Sequence, residues 1–172
     1  MMKDVFCYHV NRKEVGAVPA DQKRIFSPNA VTICMDVVEG GREKGRMYHN
    51  YRETPVSFNS VWELLGHMEA FYEMLQYPQA SMEYRSFANK HSYRTGGGTE
   101  GLKQREPVRE NGKRGTFVVR VQYRQNATWQ GQVTWTERQV TKSFRSALEM
   151  LKLIDSALDE GEAGCGAEET GG

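Results

Sequence analysis

Residues 124–131, with the sequence RQNATWQG, bring guanidinium, amide, hydroxyl and indole groups into one short stretch. Such groups donate and accept hydrogen bonds and offer a flat ring for stacking, which is the chemistry of non-covalent ligand recognition. A binding surface is therefore predicted here, together with one more arginine just upstream. Its expected residues are Arg120, Arg124, Asn126, Thr128 and Trp129.

The same stretch is also typical of a hairpin turn. Asn126 tolerates positive φ, the Thr128 hydroxyl can bond nearby backbone, and Gly131 lets the chain re-enter a strand. In that case Trp129 would either fold over the edge of the core or stand exposed as a contact residue. Ligand contact and structural turn are both open on the residues alone.

The histidines and cysteines do not predict catalysis. His9, His49, His67 and His91 are scattered over separate predicted elements, with no evident Cys or Ser nucleophile and orienting acid beside them. Cys7 and His9 would supply only two ligands, which is too few for a zinc site. We predict no catalytic residue, no metal and no cofactor, and an enzymatic role is only a distant alternative.

Nucleic acid is the alternative ligand. Arg120 and Arg124 are expected to project from the sheet face opposite the helices, where guanidinium groups can pair with phosphates or stack on bases. The segment 84–94, YRSFANKHSYR, interleaves aromatic and basic residues, and residues 76–116 carry eight Lys or Arg against four Asp or Glu. A net charge of only +1 for the whole chain argues against this class.

An internal repeat organises the elements that hold these residues. Shifting the sequence by 86 positions aligns residues 45–69 with residues 131–155 without a gap. Both segments contain a Ser-x-x-Glu capping box, at Ser60 and at Ser146, which marks a helix start, and apolar residues follow each box at helical spacing. Residues 117–124 alternate apolar and polar side chains, as a half-buried strand does, and residues 31–37 repeat the inward set.

Each half is therefore predicted as strand, hairpin, strand and helix. Two such units pairing edge to edge give an α+β fold, a tandem ββα repeat forming an antiparallel sheet with two helices on one face. The expected organisation is an N-terminal segment with a candidate edge strand (1–30), a first ββα unit (31–76), a basic glycine-containing connector (77–116), a second ββα unit (117–158) and a disordered acidic tail (159–172).

The polar cluster belongs to one half only. Gly45 aligns with Gly131, but the preceding VVEGGREK contains none of the Asn, Thr or Trp side chains of the second half. If the cluster served only to close a ββα unit, the first half would be expected to keep part of it. This asymmetry favours a specialised role for the second half.

Two resemblances bear on function. The segment from Phe117 to the predicted C-terminal helix resembles a block with the pattern RQNATWQG, V-x-W and FRSALELL in small bacterial proteins, and this resemblance implies a bacterial setting without an assigned activity. Separately, Arg105-Glu-Pro-Val-Arg109 followed by NATWQG resembles the RxxxR and (D/N)xSxxG signature of PilZ domains. That resemblance implies cyclic-dinucleotide binding, although Thr128 replaces the Ser and two ββα units are not a PilZ barrel.

The remaining composition predicts a cytoplasmic setting. No apolar run approaches the roughly 18 residues of a membrane span, and three widely spaced cysteines do not form a disulfide framework. We expect a non-catalytic binding or regulatory protein with a protein partner. Nucleic acid and a homodimer through open sheet edges are the other partners considered, and no membrane is expected.

Overall fold

The computed structural model describes residues 27–40, 42–80, 110–125 and 128–163 of the 172-residue chain. Several predicted features lie outside these residues: the N-terminal edge strand, the segment 84–94, Arg105, Arg109, Asn126 and residues 164–172 of the tail. The described residues form six strands and two helices. In chain order these are β1 (Ala30–Glu39), β2 (Arg42–His49), β3 (Val56–Phe58), α1 (Val61–Leu75), β4 (Gly115–Gln125), β5 (Thr128–Trp135), β6 (Val140–Phe144) and α2 (Ala147–Ala163).

The strands form one antiparallel sheet in the order β3-β2-β1-β4-β5-β6. Both helices cover the same face, because residues of α1 and of α2 line one cleft above Met35 of β1. The opposite face is called the open face below. The fold is therefore α+β in two layers, with the core between the sheet and the helices.

Each half contributes a third strand that the sequence pattern did not reveal. The expected order of strand, hairpin, strand and helix leaves out β3 and β6, which lie at the two edges of the sheet. These strands give a weak periodic signal, since in β6 only Phe144 is buried and in β3 only Phe58 is. An edge strand is identified mainly by its backbone pairing with a neighbour, and local hydrophobic alternation does not report that pairing.

The predicted helix starts are confirmed. The Ser60 Oγ accepts a hydrogen bond from the Glu63 N–H at 3.2 Å, and the Ser146 Oγ accepts one from the Glu149 N–H at 3.1 Å. In both helices the glutamate carboxylate reaches back to the backbone N–H that precedes the serine. Helix α2 ends at Ala163, five residues beyond the unit boundary expected from the sequence, so the predicted tail begins inside a helix.

Positions 86 residues apart occupy matching places in the pairing register. Gly45 pairs with Phe58, and Gly131 pairs with Phe144. The bulge in β1 lies between Met35 and Val37, and the bulge in β4 lies between Val121 and Tyr123. We refer below to the residue 86 positions earlier in the chain as the counterpart of a second-half residue. The core is formed from both halves and includes Val31, Ile33, Met47, Leu64, Met68, Phe71, Tyr72, Phe117, Val119, Val133, Met150, Ile154 and Leu158.

Candidate functional site

The bulge in β4 reverses the expected orientation of Arg124. The alternation that buries Phe117, Val119 and Val121 would place Arg124 on the open face beside Arg120. The bulge adds one residue before Tyr123, and every later side chain changes face. Tyr123, which the alternation placed in the core, is instead 55% exposed, while Arg124 is 4% exposed and points towards α1. The expectation that Arg124 projects from the open face is therefore wrong.

The Arg124 guanidinium bridges two carboxylates of α1. One amino group, Nη2, donates to Glu69 and also to Glu73, the latter at 2.5 Å. The other, Nη1, donates to the Pro78 carbonyl oxygen at 3.2 Å, beyond the end of α1. The group also lies over the Tyr72 ring, with 6.0 Å between Cζ and the ring centroid. These contacts tie the tip of the second-half hairpin to the helix of the first half.

One feature of the sequence indicates that Glu69 and Glu73 need a cationic partner. Glu69 and Glu73 are four positions apart on α1, so two like charges lie on one helix face, an arrangement that destabilises a helix unless a cation neutralises it. Which cation does so could not be read from the spacing, because Arg124 is far along the chain. The partner was set by the long-range packing of β4 against α1.

Trp129 is a core residue near the start of β5. Its side chain is 9% exposed, and its ring meets the Tyr72 ring edge-on at a centroid distance of 5.5 Å and an angle of 89°. Burial raises the pKa of the Tyr72 hydroxyl well above its ordinary value. Trp129 lies directly opposite Arg124 in the β4–β5 pairing. The structure thus brings Arg124 and Trp129 together, but as an internal contact.

Thr128 and Arg120 have separate positions. The Thr128 hydroxyl donates to the Arg145 carbonyl oxygen at 3.1 Å, which secures the start of β5 to the residue before the Ser146 cap of α2. Arg120 is half-buried in the middle of β4, where it pairs with Ala30 of β1 and Gln132 of β5. Of the five predicted binding residues, the structure describes four: Arg124 and Trp129 lie on the helix side of the sheet, and Arg120 and Thr128 lie on the open face.

On the open face, the apolar Ala30 and Val118 flank Arg120 on β1 and β4, and polar, uncharged side chains lie beside it on β5 and β6. Gln132 and Ser143 continue its row across β5 and β6. In the next row the Thr134 and Thr141 hydroxyl oxygens are 2.9 Å apart. Tyr123 adds an exposed ring. We call this set the second-half open face; it consists of Arg120, Tyr123, Gln132, Thr134, Thr141 and Ser143.

The open face of the first half is closed by an ion network that the sequence analysis did not predict. The Arg46 guanidinium donates to both Asp36 carboxylate oxygens, at 2.8 and 3.1 Å, and to the Tyr48 hydroxyl at 2.9 Å. Arg46 and Tyr48 also both donate to Glu110, which precedes β4. The hydrogen bond from Arg46 holds the pKa of Asp36 below its usual value, while burial and the bond to Glu110 raise that of Tyr48 to about 12.

The thiol of Cys34, the nucleophilic group of this region, is held in an unreactive form. Cys34 is fully buried beneath the network, and burial raises the pKa of its thiol to about 11, so the thiolate form needed for nucleophilic attack is scarce near neutral pH. Its thiol donates to the Glu110 carbonyl oxygen at 3.3 Å. Within the described ranges, no group of three or more His, Cys, Asp or Glu side chains is placed to hold a metal ion.

The chain matches no model of a known protein family, no curated protein and no solved structure. Neither helix in the described part of the chain combines the length and the apolar character needed to cross a membrane.

Proposed function

We propose that the chain is a non-catalytic binding protein of the bacterial cytoplasm, and that its contact surface for a protein partner is the second-half open face. The observation that carries this proposal is the difference between the two halves of that face. In the first half, Arg46 is paired with both Asp36 and Glu110. In the second half, Arg120 forms no ion pair with a described residue, and Tyr123 is exposed beside it.

The counterpart residues of the two halves differ at this surface. The counterparts of Arg120, Gln132 and Thr134 are Cys34, Arg46 and Tyr48. Arg46 and Tyr48 belong to the ion network of the first half, and Cys34 lies buried beneath it. We infer that both halves derive from one unit of three strands and a helix, which differs from the predicted ββα unit by its edge strand. After duplication, one copy closed its open face internally and the other kept it available to a partner.

The test compares two tyrosines of equal exposure. Tyr123 is 55% exposed on the second-half open face, and Tyr77 is 54% exposed beyond the end of α1. A protein captured by the immobilised chain is identified, purified and titrated against the wild type, Tyr123→Ser and Tyr77→Ser. Exposed aromatic and arginine side chains dominate many interfaces, so Tyr123→Ser and Arg120→Ser should each weaken binding by about tenfold or more, while Tyr77→Ser should not.

Both tyrosine variants are expected to melt at the wild-type temperature, because neither ring belongs to the core. Equal affinities of the Tyr123→Ser and Tyr77→Ser proteins for the purified partner would show that the contact surface lies elsewhere.

Single-stranded nucleic acid is a second candidate, favoured by one observation. The strand residues of the second-half open face combine a guanidinium and an exposed aromatic ring with amides and hydroxyls, and they include no carboxylate. An aromatic ring on a sheet can stack on a base while arginine contacts the phosphate. Fluorescence anisotropy with a mixed-sequence RNA of about 20 nucleotides should then show affinity that falls steeply with salt. The absence of binding at low salt would remove this candidate.

A second copy of the chain remains a proposed partner through the outer edge of β6. Residues Val140–Phe144 form this edge. The first four side chains are exposed, and that of Phe144 is buried. An unpaired strand edge can add a strand from another molecule. Sedimentation equilibrium would show a dimer whose dissociation increases when Thr141 is replaced by proline, which cannot donate a backbone hydrogen bond.

A further inference from the structure

A cavity of about 300 Å³ lies on the helix side of the sheet, between the ends of β5 and β6 and helix α2. This volume is at the lower end of the range of small-molecule sites, which is roughly 300–1,000 Å³. Its floor is apolar and is formed by Phe117, Val133, Trp135, Leu153 and Ala157. Since it opens on the face opposite the second-half open face, it is independent of the proposed contact surface.

The first half shows what fills the corresponding space. There the Phe71 ring of α1 stacks on the His49 ring at a centroid distance of 4.4 Å and an angle of 23°. The residues 86 positions later are Ala157 and Trp135. The second half has therefore kept the flat ring on the strand and lost the ring that covers it. Phe117, in place of Val31, lies beside Trp135 at 6.4 Å between centroids and refills only part of the space.

The polar groups around the cavity favour an anion. Lys142 lines it where the counterpart is the apolar Val56, and the Arg138 guanidinium lies 4.9 Å from the Trp135 ring centroid. The indole N–H of Trp135 is buried and has no acceptor among the described residues. Glu160 is the acidic member of the lining, so the two cations leave a net positive mouth.

We propose that this cavity binds a small aromatic carboxylate. The ring occupies the space that Phe71 fills in the first half and stacks on Trp135. The carboxylate lies at the mouth, where Lys142 and Arg138 provide charge-assisted hydrogen bonds. The Phe71 ring of the first half indicates the shape of the ligand, and the positive charges of Lys142 and Arg138 indicate that it is an anion.

The test uses the full chain and phenylacetate, because this molecule joins a ring of the size of Phe71 to a carboxylate. Two matched ligands separate the contributions: phenylacetamide lacks the charge, and cyclohexylacetate lacks the aromatic ring. Isothermal titration should give a dissociation constant for phenylacetate of about 1 mM or below. Both matched ligands should bind about tenfold more weakly, or not measurably. Equal binding of phenylacetate and phenylacetamide, or no binding at about 10 mM phenylacetate, would contradict the proposal.

Variants locate the site. Ala157→Phe restores the ring of the first half and should abolish phenylacetate binding while the melting temperature stays the same or rises, because the cavity is filled. Lys142→Gln should weaken binding by about tenfold, whereas Lys152→Gln, which removes the same charge outside the cavity, should leave it unchanged. A folded Ala157→Phe protein that binds as the wild type does would sink the proposal.

If Ala157→Phe does not fold, the site can still be located in the wild-type protein. Amide chemical-shift mapping during the phenylacetate titration should show its largest changes at Trp135, Lys142 and Ala157. Changes confined to the open face would place the ligand elsewhere and overturn the assignment.

Discussion

At the scale of single residues, Arg124 is a structural side chain. Its side chain is 3% exposed, and it stands between the Glu69 and Glu73 carboxylates of α1, which are 19% and 30% exposed. Replacing such a group by hydrophobic residues together with its partners can be neutral, but removing one member leaves the others buried without a counter-charge. Arg124 and the two glutamates therefore stabilise one another, and together they link the tip of β4 to α1.

We expect Arg124→Met to lower the free energy of unfolding by about 3 kcal/mol, the lower end of the range for breaking a buried pair, because Glu73 is partly solvated. Urea denaturation followed by circular dichroism measures this change. Arg120→Met is the matched control, and its effect should stay within about 0.5 kcal/mol, since Arg120 forms no ion pair in the described chain. Equal losses in the two variants would show that the Arg124 contacts contribute little.

His49 is a second structural residue, and it makes stability depend on pH. Burial, aided by the charge of Arg52, lowers the pKa of His49 from 6.5 to about 4. Its Nδ1 accepts a hydrogen bond from the Tyr51 N–H at 3.3 Å, which requires this nitrogen to be unprotonated. The stacked Phe71 ring covers one side of the imidazole. The folded protein therefore keeps this histidine neutral.

The sign of the pH effect follows from that lowered pKa. Below pH 6.5 the unfolded chain takes up a proton at His49 that the folded chain does not take up until about pH 4. Stability is complete above pH 6.5 and falls as the pH drops towards 4, by at most about 3 kcal/mol. His49→Phe keeps a ring beside Phe71 and should lose less stability than the wild type between about pH 7.5 and about pH 4.5. Identical pH profiles would mean that His49 titrates normally in the fold.

At the scale of elements, two glycines fix how the strands of each half approach one another. A Cβ on Gly45 would overlap the Cys34 carbonyl oxygen, and a Cβ on Gly131 would overlap that of Arg120. Both clashes involve backbone of the neighbouring strand, which cannot move as a side-chain end can. Each glycine lies beside its bulge, so the bulge and the glycine together set the point where the strand changes face.

Gly45→Ala and Gly131→Ala should therefore each destabilise the protein by about 1–3 kcal/mol, the usual cost of overpacking. Gly66→Ala in α1 serves as the control, because nothing lies within 4 Å of an added Cβ there. It should stabilise by about 0.5–1 kcal/mol through helix propensity. Chemical denaturation of the three variants gives the comparison. A neutral Gly131→Ala would show that the two strands do not approach closely.

At the scale of the whole molecule, the two halves share one core and one sheet. Residues Ala30–Met35 of β1 pair with residues 115–120 of β4, and this pairing joins the halves in the middle of the sheet. Val119 lies there fully buried, opposite Val31 on one side and Val133 on the other. Trp129 of the second half packs on Tyr72 of the first. Part of the core of each half is therefore buried by residues of the other half.

We expect a single cooperative unfolding transition for the described fold. Tryptophan fluorescence and far-UV circular dichroism should give the same midpoint in urea. Val119→Ala should lower the free energy of unfolding by roughly 2 kcal/mol and move both midpoints together, because the cavity opens at the junction of the halves. Two separated transitions in the variant would show that the halves are stabilised independently.

The sequence by itself determined the local features of this protein. Both helix starts follow from Ser60 and Ser146, since a cap is made by residues three positions apart. The inward residues of β1 and β4 follow from alternation as far as each bulge. The shared spacing of 86 residues indicated matching positions in the two halves, and the α+β class followed from the order of strand and helix patterns.

Only the tertiary structure decided which side chains are buried and which remain exposed for contact with a ligand or partner. One inserted residue in β4 turns Arg124 inwards and Tyr123 outwards, and no periodic pattern reports a bulge whose position is set by the paired strand. Trp129 is buried because Tyr72, far away in the sequence, lies where the indole can pack. The cavity at Trp135 exists because Ala157 on α2 stands where the first half has a ring. Hydrogen bonds and periodicity within a segment are local, whereas burial and charge pairing depend on distant segments meeting.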